Sequence, residues 1–252
     1  MSGSVPSAIS FDYWNTLYLG ASSVTRMKRR RDAVASLLVA AGHTVDGPAL
    51  AAAYSAAGQE AERRWRDEHR GYCAEDRVRD VLDRMGVERP RDCAHVASAV
   101  RAVDDALLED PPELVPGAAD GLRRLAERFT LGIVSDTGFS SGVAQDRVLE
   151  RDGLLALFPV RIYSCDIGRA KPDSSLFAAL TAGLGIAPAM TVHVGDSERT
   201  DVIGALGAGM RAIRVDLLGA DAGPSAAEYV ARDFTSLVDY LCATGDRADL
   251  PG

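Results

Sequence analysis

The chain has 252 residues, of which 47% are apolar and 25% charged. That is the profile of a folded globular protein and excludes a disordered or fibrous chain. A formal net charge of −8 argues against a general nucleic-acid binder. No apolar run approaches the roughly 20 residues a membrane-spanning helix needs.

In chain order, the N-terminus (Met1 to Ser10) lacks the basic start and apolar stretch of a secretory signal, so the chain reads as cytoplasmic. Ala8-Ile9-Ser10-Phe11 is strand-like and runs into Asp12, followed by the turn-prone Asn15-Thr16. From about Ser22 to Glu109 the periodicity turns helical. Helices are expected over Arg31–Ala41, Ala49–Glu68, Glu75–Met85 and Ala94–Leu108, with no strand among them. The basic run from Arg26 to Arg31 either steers anions toward a cleft or, the favoured reading, forms a solvated helix face. Trp65, Tyr54 and Tyr72 either line a pocket in this stretch or pack it.

After Pro111-Pro112 strands and helices alternate. Helix Ala118–Arg128 precedes strand Phe129–Val134, which ends at Ser135. Helix Val143–Asp152, strand Val160–Ser164, helix Ser174–Gly183 and strand Met190–Val194 follow, the last ending at Gly195-Asp196. Helix Thr200–Gly207, strand Met210–Val215 and two helices, Ser225–Val230 and Thr235–Cys242, complete the chain. The tail from Ala243 to Gly252 is expected to be loose. Short apolar strands alternating with helices imply a parallel sheet covered on both faces. The expected fold is therefore α/β: a doubly wound, Rossmann-like core of residues 1–19 plus 111–252, with an all-helical cap domain of residues 20–110 inserted.

Asp12, Ser135 and Asp196 each stand just past the carboxyl end of a strand, and Lys171 lies in the loop after another. In open parallel sheets that edge is where ligands bind. Two carboxylates there repel unless a cation separates them, and Mg²⁺ is commonly held by one or two carboxylates with substrate phosphate. A Ser hydroxyl and a Lys beside them suit phosphoryl oxygens, and an Asp can itself be a nucleophile. Singly, each residue has a structural alternative as a helix cap or turn residue. Lys171 is one of only two lysines, with Lys28, in an Arg-rich chain. The four cysteines, Cys73, Cys93, Cys165 and Cys242, form no CxxC pair and read as unpaired thiols. His43, His69 and His95 are isolated, and His193 reads as a packed strand residue.

The ordered segments Phe11-Asp12-Tyr13-Trp14-Asn15-Thr16-Leu17, Ile133-Val134-Ser135-Asp136-Thr137-Gly138, Lys171-Pro172-Asp173 and His193-Val194-Gly195-Asp196-Ser197 with Asp201 resemble the four motifs of the haloacid dehalogenase superfamily. The resemblance spans about residues 8 to 216, and the helical stretch resembles that family's cap. It implies Asp12 as nucleophile, with Asp12, Asp196 and the Trp14 carbonyl as Mg²⁺ ligands. It also implies that Ser135 and Lys171 hold the transferring phosphoryl group. Thr16 and Asp136 would complete the substrate contacts, and Asp201 would orient Lys171 or a metal-bound water.

Phosphatases of that family carry a second Asp two residues after the nucleophile as general acid and base. Here the position holds Trp14, whose indole cannot exchange protons near neutral pH. Three readings result. The first is a Mg²⁺-dependent phosphohydrolase acting on a small phosphate ester, as monomer or homodimer, with proton transfer impaired. The second is a non-catalytic protein that binds a phospholigand or protein. The third is a 2-haloacid dehalogenase, against which Asp196 argues, because those enzymes need no metal carboxylate.

Overall fold

The structure is a computed structural model, and it describes residues 5–20, 23–87, 93–217, 219 and 223–246. Strand β1 (Ala8–Phe11) is wholly buried and lies inside a six-stranded sheet. The other members are β4 (Thr130–Ser135), β5 (Val160–Tyr163), β6 (Thr191–Gly195), β7 (Arg211–Val215) and β8 (Tyr229–Ala231). All are parallel, in the order β5-β4-β1-β6-β7-β8. Phe11 pairs in register with both Ile133 and Val194, so Asp12 leaves the sheet beside the ends of both neighbouring strands. After β1 the chain proceeds towards β4, whereas after β6 it proceeds towards β7. The β1/β6 border is thus the point where the winding reverses, and there the crevice outside the strand ends is open.

The period-2 alternation of the strands builds two layers. Ile9, Phe11, Ile133, Val194 and Ile213 pack into one core under α5 (Ala118–Ala126), α6 (Gly142–Arg151) and α10 (Phe234–Asp246). Val134 and Ala212 face the opposite way, against Leu176, Phe177 and Leu180 of α8 (Ser174–Leu184) and Ala205 of α9 (Ile203–Gly207). Helix α7 (Ser164–Ile167) is a single turn following β5.

Between β2 (Tyr18–Leu19) and β3 (Glu113–Leu114) lie four helices: α1 (Val24–Ala40), α2 (Gly47–Glu68), α3 (Ala74–Arg84) and α4 (Cys93–Glu109). No strand occurs among the described residues of that stretch. Strands β2 and β3 pair antiparallel, which brings the two ends of the helical segment together. The segment has its own core, with Val34, Leu38, Leu50, Val78, Leu82 and Val103 buried against one another.

Three expectations are corrected. Residues Ser225 to Val230 are not helical: Tyr229–Ala231 is an edge strand on β7. Helix α10 runs to Asp246, so the start of the expected loose tail is ordered helix, while residues 247–252 lie outside the described residues, as do Met1–Ser4. The basic run of α1 is not a solvated face throughout. Arg26 and Arg30 are each 2% exposed, whereas Lys28 and Arg29 face outward.

Candidate active site

The carboxyl edge of the sheet gathers Asp12, Lys171, Asp196 and Asp201 at the floor of a cavity of ≈ 640 Å³. Lys171 is the hub. Its buried ammonium donates to Asp12 Oδ1, to Asp201 Oδ1 at 2.7 Å and to the Val134 carbonyl at 3.2 Å. Three bonds use all three donors of an ammonium.

Asp201 is held from three sides. It accepts from Lys171 and, through Oδ2, from the Ser197 backbone N–H at 3.0 Å. His193 Nε2 lies 3.2 Å from Oδ1, and His193 Nδ1 lies 2.8 Å from the Ser10 hydroxyl. Burial lowers the His193 pKa, so the ring is neutral near pH 7. A neutral imidazole donates from one nitrogen and accepts at the other; here Nε2–H donates to Asp201 and Nδ1 accepts from Ser10. His193 is therefore packed, as its sequence position suggests, and it also steadies Asp201. The backbone at 195 must be glycine for this closeness, because a Cβ there would lie 2.3 Å from Asp201 Cγ.

The electrostatics are unbalanced. Ligand oxygens of Asp12, Asp196 and Asp201 all lie within 4.8 Å of one another, with one ammonium among them. Burial raises the Asp12 pKa well above the usual carboxylate range, with Asp201 and Asp196 adding to the rise and Lys171 opposing it. Asp196 is pushed up to about 6, by burial first and then by Asp201. For Asp201, burial is outweighed by Lys171 and His193, and its carboxyl stays below the usual range. Among the described residues, the only hydrogen bond from another side chain to Asp196 comes from the Asn15 amide at 3.2 Å. Asn15 reaches it from a left-handed turn at φ 56°, a conformation asparagine tolerates better than most residues. A cluster of hard oxygen donors carrying surplus negative charge fits Mg²⁺.

The remaining expected residues are placed as follows. Trp14 is half-buried, lines the cavity and packs edge-on against Tyr13 at 4.9 Å. Asp136 also lines it, accepting from the Trp65 indole N–H at 2.8 Å and the Lys171 backbone N–H at 3.0 Å. Ser135 and Thr16 do not line it. The Ser135 hydroxyl donates to Gln145 at 2.8 Å, and the buried Thr16 hydroxyl has no hydrogen-bond partner among the described residues. Tyr54, Trp65 and Tyr72 do line the cavity. Sequence reasoning missed Asn15, Arg77 and Phe139, which line it as well.

The sequence profile of haloacid dehalogenase-like hydrolases matches residues 6–209, and the chain belongs to that family. It is 34% identical over 123 residues to a glyceraldehyde 3-phosphate phosphatase of Methanopyrus kandleri, covering 48% of this chain and 50% of that protein. It is 41% identical over 64 residues to a phosphoserine phosphatase of Thermus thermophilus, covering 25% and 26%. The chain thus aligns with half or less of these curated relatives. Among solved structures, a 2-haloacid dehalogenase of Pseudomonas syringae superposes with a TM-score of 0.67 at 21% identity, covering 94% of this chain and 98% of that one. The magnesium-bound hydrolase YfnB of Bacillus subtilis superposes at 0.57 and 20% identity, covering 94% and 99%. At such identities the likeness is one of fold.

Proposed function

We propose that the protein is a Mg²⁺-dependent phosphohydrolase that cleaves a small phosphate ester through an aspartyl-phosphate on Asp12, with the helical segment of residues 20–110 acting as a cap that selects the substrate. One observation carries this reading: Asp12 is held by the ammonium of Lys171 beside a second, uncompensated carboxylate, Asp196, on the floor of one cavity. The phosphatase names of the two curated relatives agree with it.

Asp12 and Asp196, with the Trp14 carbonyl, would hold the cation, which when bound offsets negative charge on the phosphoryl oxygens. Lys171 fixes the direction of the Asp12 carboxylate and presents positive charge where the phosphoryl group arrives. Asp201 keeps that ammonium in place. Attack by an Asp12 oxygen forms the new P–O bond as the ester oxygen leaves with its electron pair, and water then cleaves the acyl phosphate. Ser135 would contribute only by turning its hydroxyl away from Gln145.

The proton for the leaving oxygen is the weak point. Trp14 cannot supply it, and Asp136 accepts hydrogen bonds with both of its oxygens. Turnover should therefore depend steeply on leaving-group acidity, with aryl and acyl phosphates cleaved much faster than alkyl ones. Trp14→Asp should raise alkyl phosphatase activity within the ~10²–10⁴-fold that proton transfer supplies, and Asp12→Asn should abolish phosphate release. Rates across an ester series, measured on variants shown to be folded, test this. Equal rates for alkyl and aryl esters in the wild type would overturn the role given to Trp14. Trp14 also favours a second reading, binding without turnover. That reading takes over if no ester is cleaved by the wild type or by Trp14→Asp while Mg²⁺ and phosphate still bind.

A further inference from the structure

Besides the acids at the sheet edge, the cavity is lined by cationic residues of the helical segment. Arg77 of α3 lines it, and Arg30 of α1 lies behind; both are buried, at 6% and 2% exposure. Neither forms an ion pair among the described residues. Arg77 Nη1 donates to the Ala57 carbonyl at 2.7 Å, and Arg30 Nη2 donates to the Ser140 hydroxyl at 2.7 Å. Among the described residues, the Nε atoms of both arginines are buried without a hydrogen-bond partner, and so is the Tyr54 hydroxyl, which belongs to another lining residue.

Phe139 organises the group. The Arg77 guanidinium lies 3.7 Å from its ring centroid and that of Arg30 lies 5.3 Å away, while Tyr54 stacks parallel at 6.1 Å. Contact with an aromatic face compensates a buried cation only in part. The nearby acids are engaged elsewhere. Asp80 accepts from Tyr72, Glu62 pairs with Arg66, and Asp104 accepts from Ser141. Burial accordingly lowers the pKa of both arginines, that of Arg30 to about 10. Two desolvated guanidiniums that have no carboxylate within ion-pair distance among the described residues, only the more distant Asp104, Asp80 and Glu62, are costly in isolation, and the location of Arg77 on the wall of a ligand-sized cavity points to an anion brought by the ligand.

We propose that Arg77, with the Tyr54 hydroxyl, forms a subsite for a second anionic group, a carboxylate or another phosphate, on the ester whose phosphoryl group is transferred to Asp12. The subsite rests on the phosphohydrolase reading above and narrows it: the substrate is a phosphate ester negatively charged at both ends. Arg30 is a positioning residue. It holds Phe139, against which Arg77 lies, and adds to the positive potential. A guanidinium fork suits planar anionic oxygens, and among the described residues the guanidinium of Arg77 donates only through Nη1.

Calorimetry with phosphonates, which cannot turn over, tests the subsite in the full-length protein with Mg²⁺. The probes are phosphonopropionate, its carboxyl methyl ester and the matching diphosphonate. The wild type should bind phosphonopropionate or the diphosphonate roughly 10- to 100-fold more tightly than the ester, the range for a charge-assisted hydrogen bond. The tighter of the two identifies the second group as carboxylate or phosphate. The ratio should fall near one in Arg77→Met, be intermediate in Arg77→Lys and be reduced in Tyr54→Phe, each checked for folding by circular dichroism. The wild-type ratio and Tyr54→Phe keep the test decisive if Arg77→Met does not fold. Equal affinity for charged and esterified probes in the wild type overturns the subsite, as does a preference that survives in Arg77→Met. If discrimination is absent while phosphate is still released from esters, the subsite fails and the hydrolase stands. If discrimination is present but no ester is cleaved, the reverse holds.

Discussion

Asp196 has the least compensation of the acids on the cavity floor. Lys171 spends its donors on Asp12, Asp201 and the Val134 carbonyl, so Asp196 is left with the Asn15 amide. Replacing it by the isosteric, neutral asparagine removes a repulsion and keeps the shape. In chelator, Asp196→Asn should therefore be at least as stable as the wild type, with a gain of about 0.5–2 kcal/mol, the size usual when functional strain is relieved. Mg²⁺ should reverse the order. A ligand that binds only the folded state stabilises it by about 2.7 kcal/mol at a hundredfold excess over Kd, and the variant should forgo most of that. Thermal melts of both proteins with and without Mg²⁺ decide the matter; equal gains from Mg²⁺ would remove Asp196 from the cation site. Residues of this kind were legible in the sequence because type and position coincide: Asp12 and Asp196 stand where strands end. The partnerships across the cavity were not. Trp65 and Asp136 are 71 residues apart, and whether one helix face meets one loop depends on how the helices pack. Arg26 and Arg30 are an intermediate case. The apolar stripe Val34-Leu37-Leu38, stepped back by helical intervals, arrives at both, so their burial could have been found.

The loop joining α2 to α3 is strapped to the loop that delivers Lys171 and to the loop after β4. Ala170 N–H donates to the His69 carbonyl at 2.8 Å, Gly71 N–H donates to the Gly168 carbonyl at 3.3 Å, and the Thr137 hydroxyl donates to the Tyr72 carbonyl at 2.9 Å. Gly71 allows this approach, since a Cβ there would lie 2.0 Å from the Ser164 carbonyl oxygen. The obstacle is backbone and cannot rotate away. Gly71→Ala should thus lift the strap and displace Ala170 beside Lys171. It should cost about 1–3 kcal/mol, as overpacking does, together with a fall in kcat. Denaturant melts and steady-state kinetics would show both; a stable, fully active Gly71→Ala protein would mean that the strap does not position Lys171. At this scale the helices and central strands were legible from periodicity, because helix and strand bury side chains with different repeats. The misread element is instructive. Ser225 with Glu228 three residues on resembles a capping box before a helix. In the fold, however, Ser225 donates to Glu198 at 2.5 Å and Glu228 pairs with Arg211 at 2.7 Å. Tertiary partners took the groups a helix start would have used. The two-residue strands β2 and β3 are too short to carry a period at all.

Taken whole, the molecule has two cores, one around the sheet and one among α1–α4, meeting over the cavity. In the sequence, the rhythm switches from helical to alternating after Pro111-Pro112. The strand order was not legible there, because it depends on which side of β1 each crossover lands. One of the contacts spanning the two parts is made by Trp65. Its indole N–H reaches Asp136 at 2.8 Å, and Arg199 from the sheet side stacks on its ring at 4.6 Å and reaches the Arg66 carbonyl at 3.4 Å. Trp65→Phe keeps an aromatic surface for Arg199 but removes the donor to Asp136. A hydrogen bond to a charged group is worth about 1.5–3 kcal/mol, and this one joins the helical segment to the sheet rather than stabilising either core. The loss should therefore fall on docking. Amides of α2 and α3 should lose protection from hydrogen exchange by about tenfold, the equivalent of 1.4 kcal/mol, while those of α5 and α6 change little. The same variant retains Trp14 as its only tryptophan, so emission from the cavity wall will report phosphate or phosphonate binding directly. A uniform loss of protection in both cores would show that Trp65 contributes to global stability and not to docking. Unchanged exchange throughout would show that the backbone straps at 69–72 hold the helical segment without it.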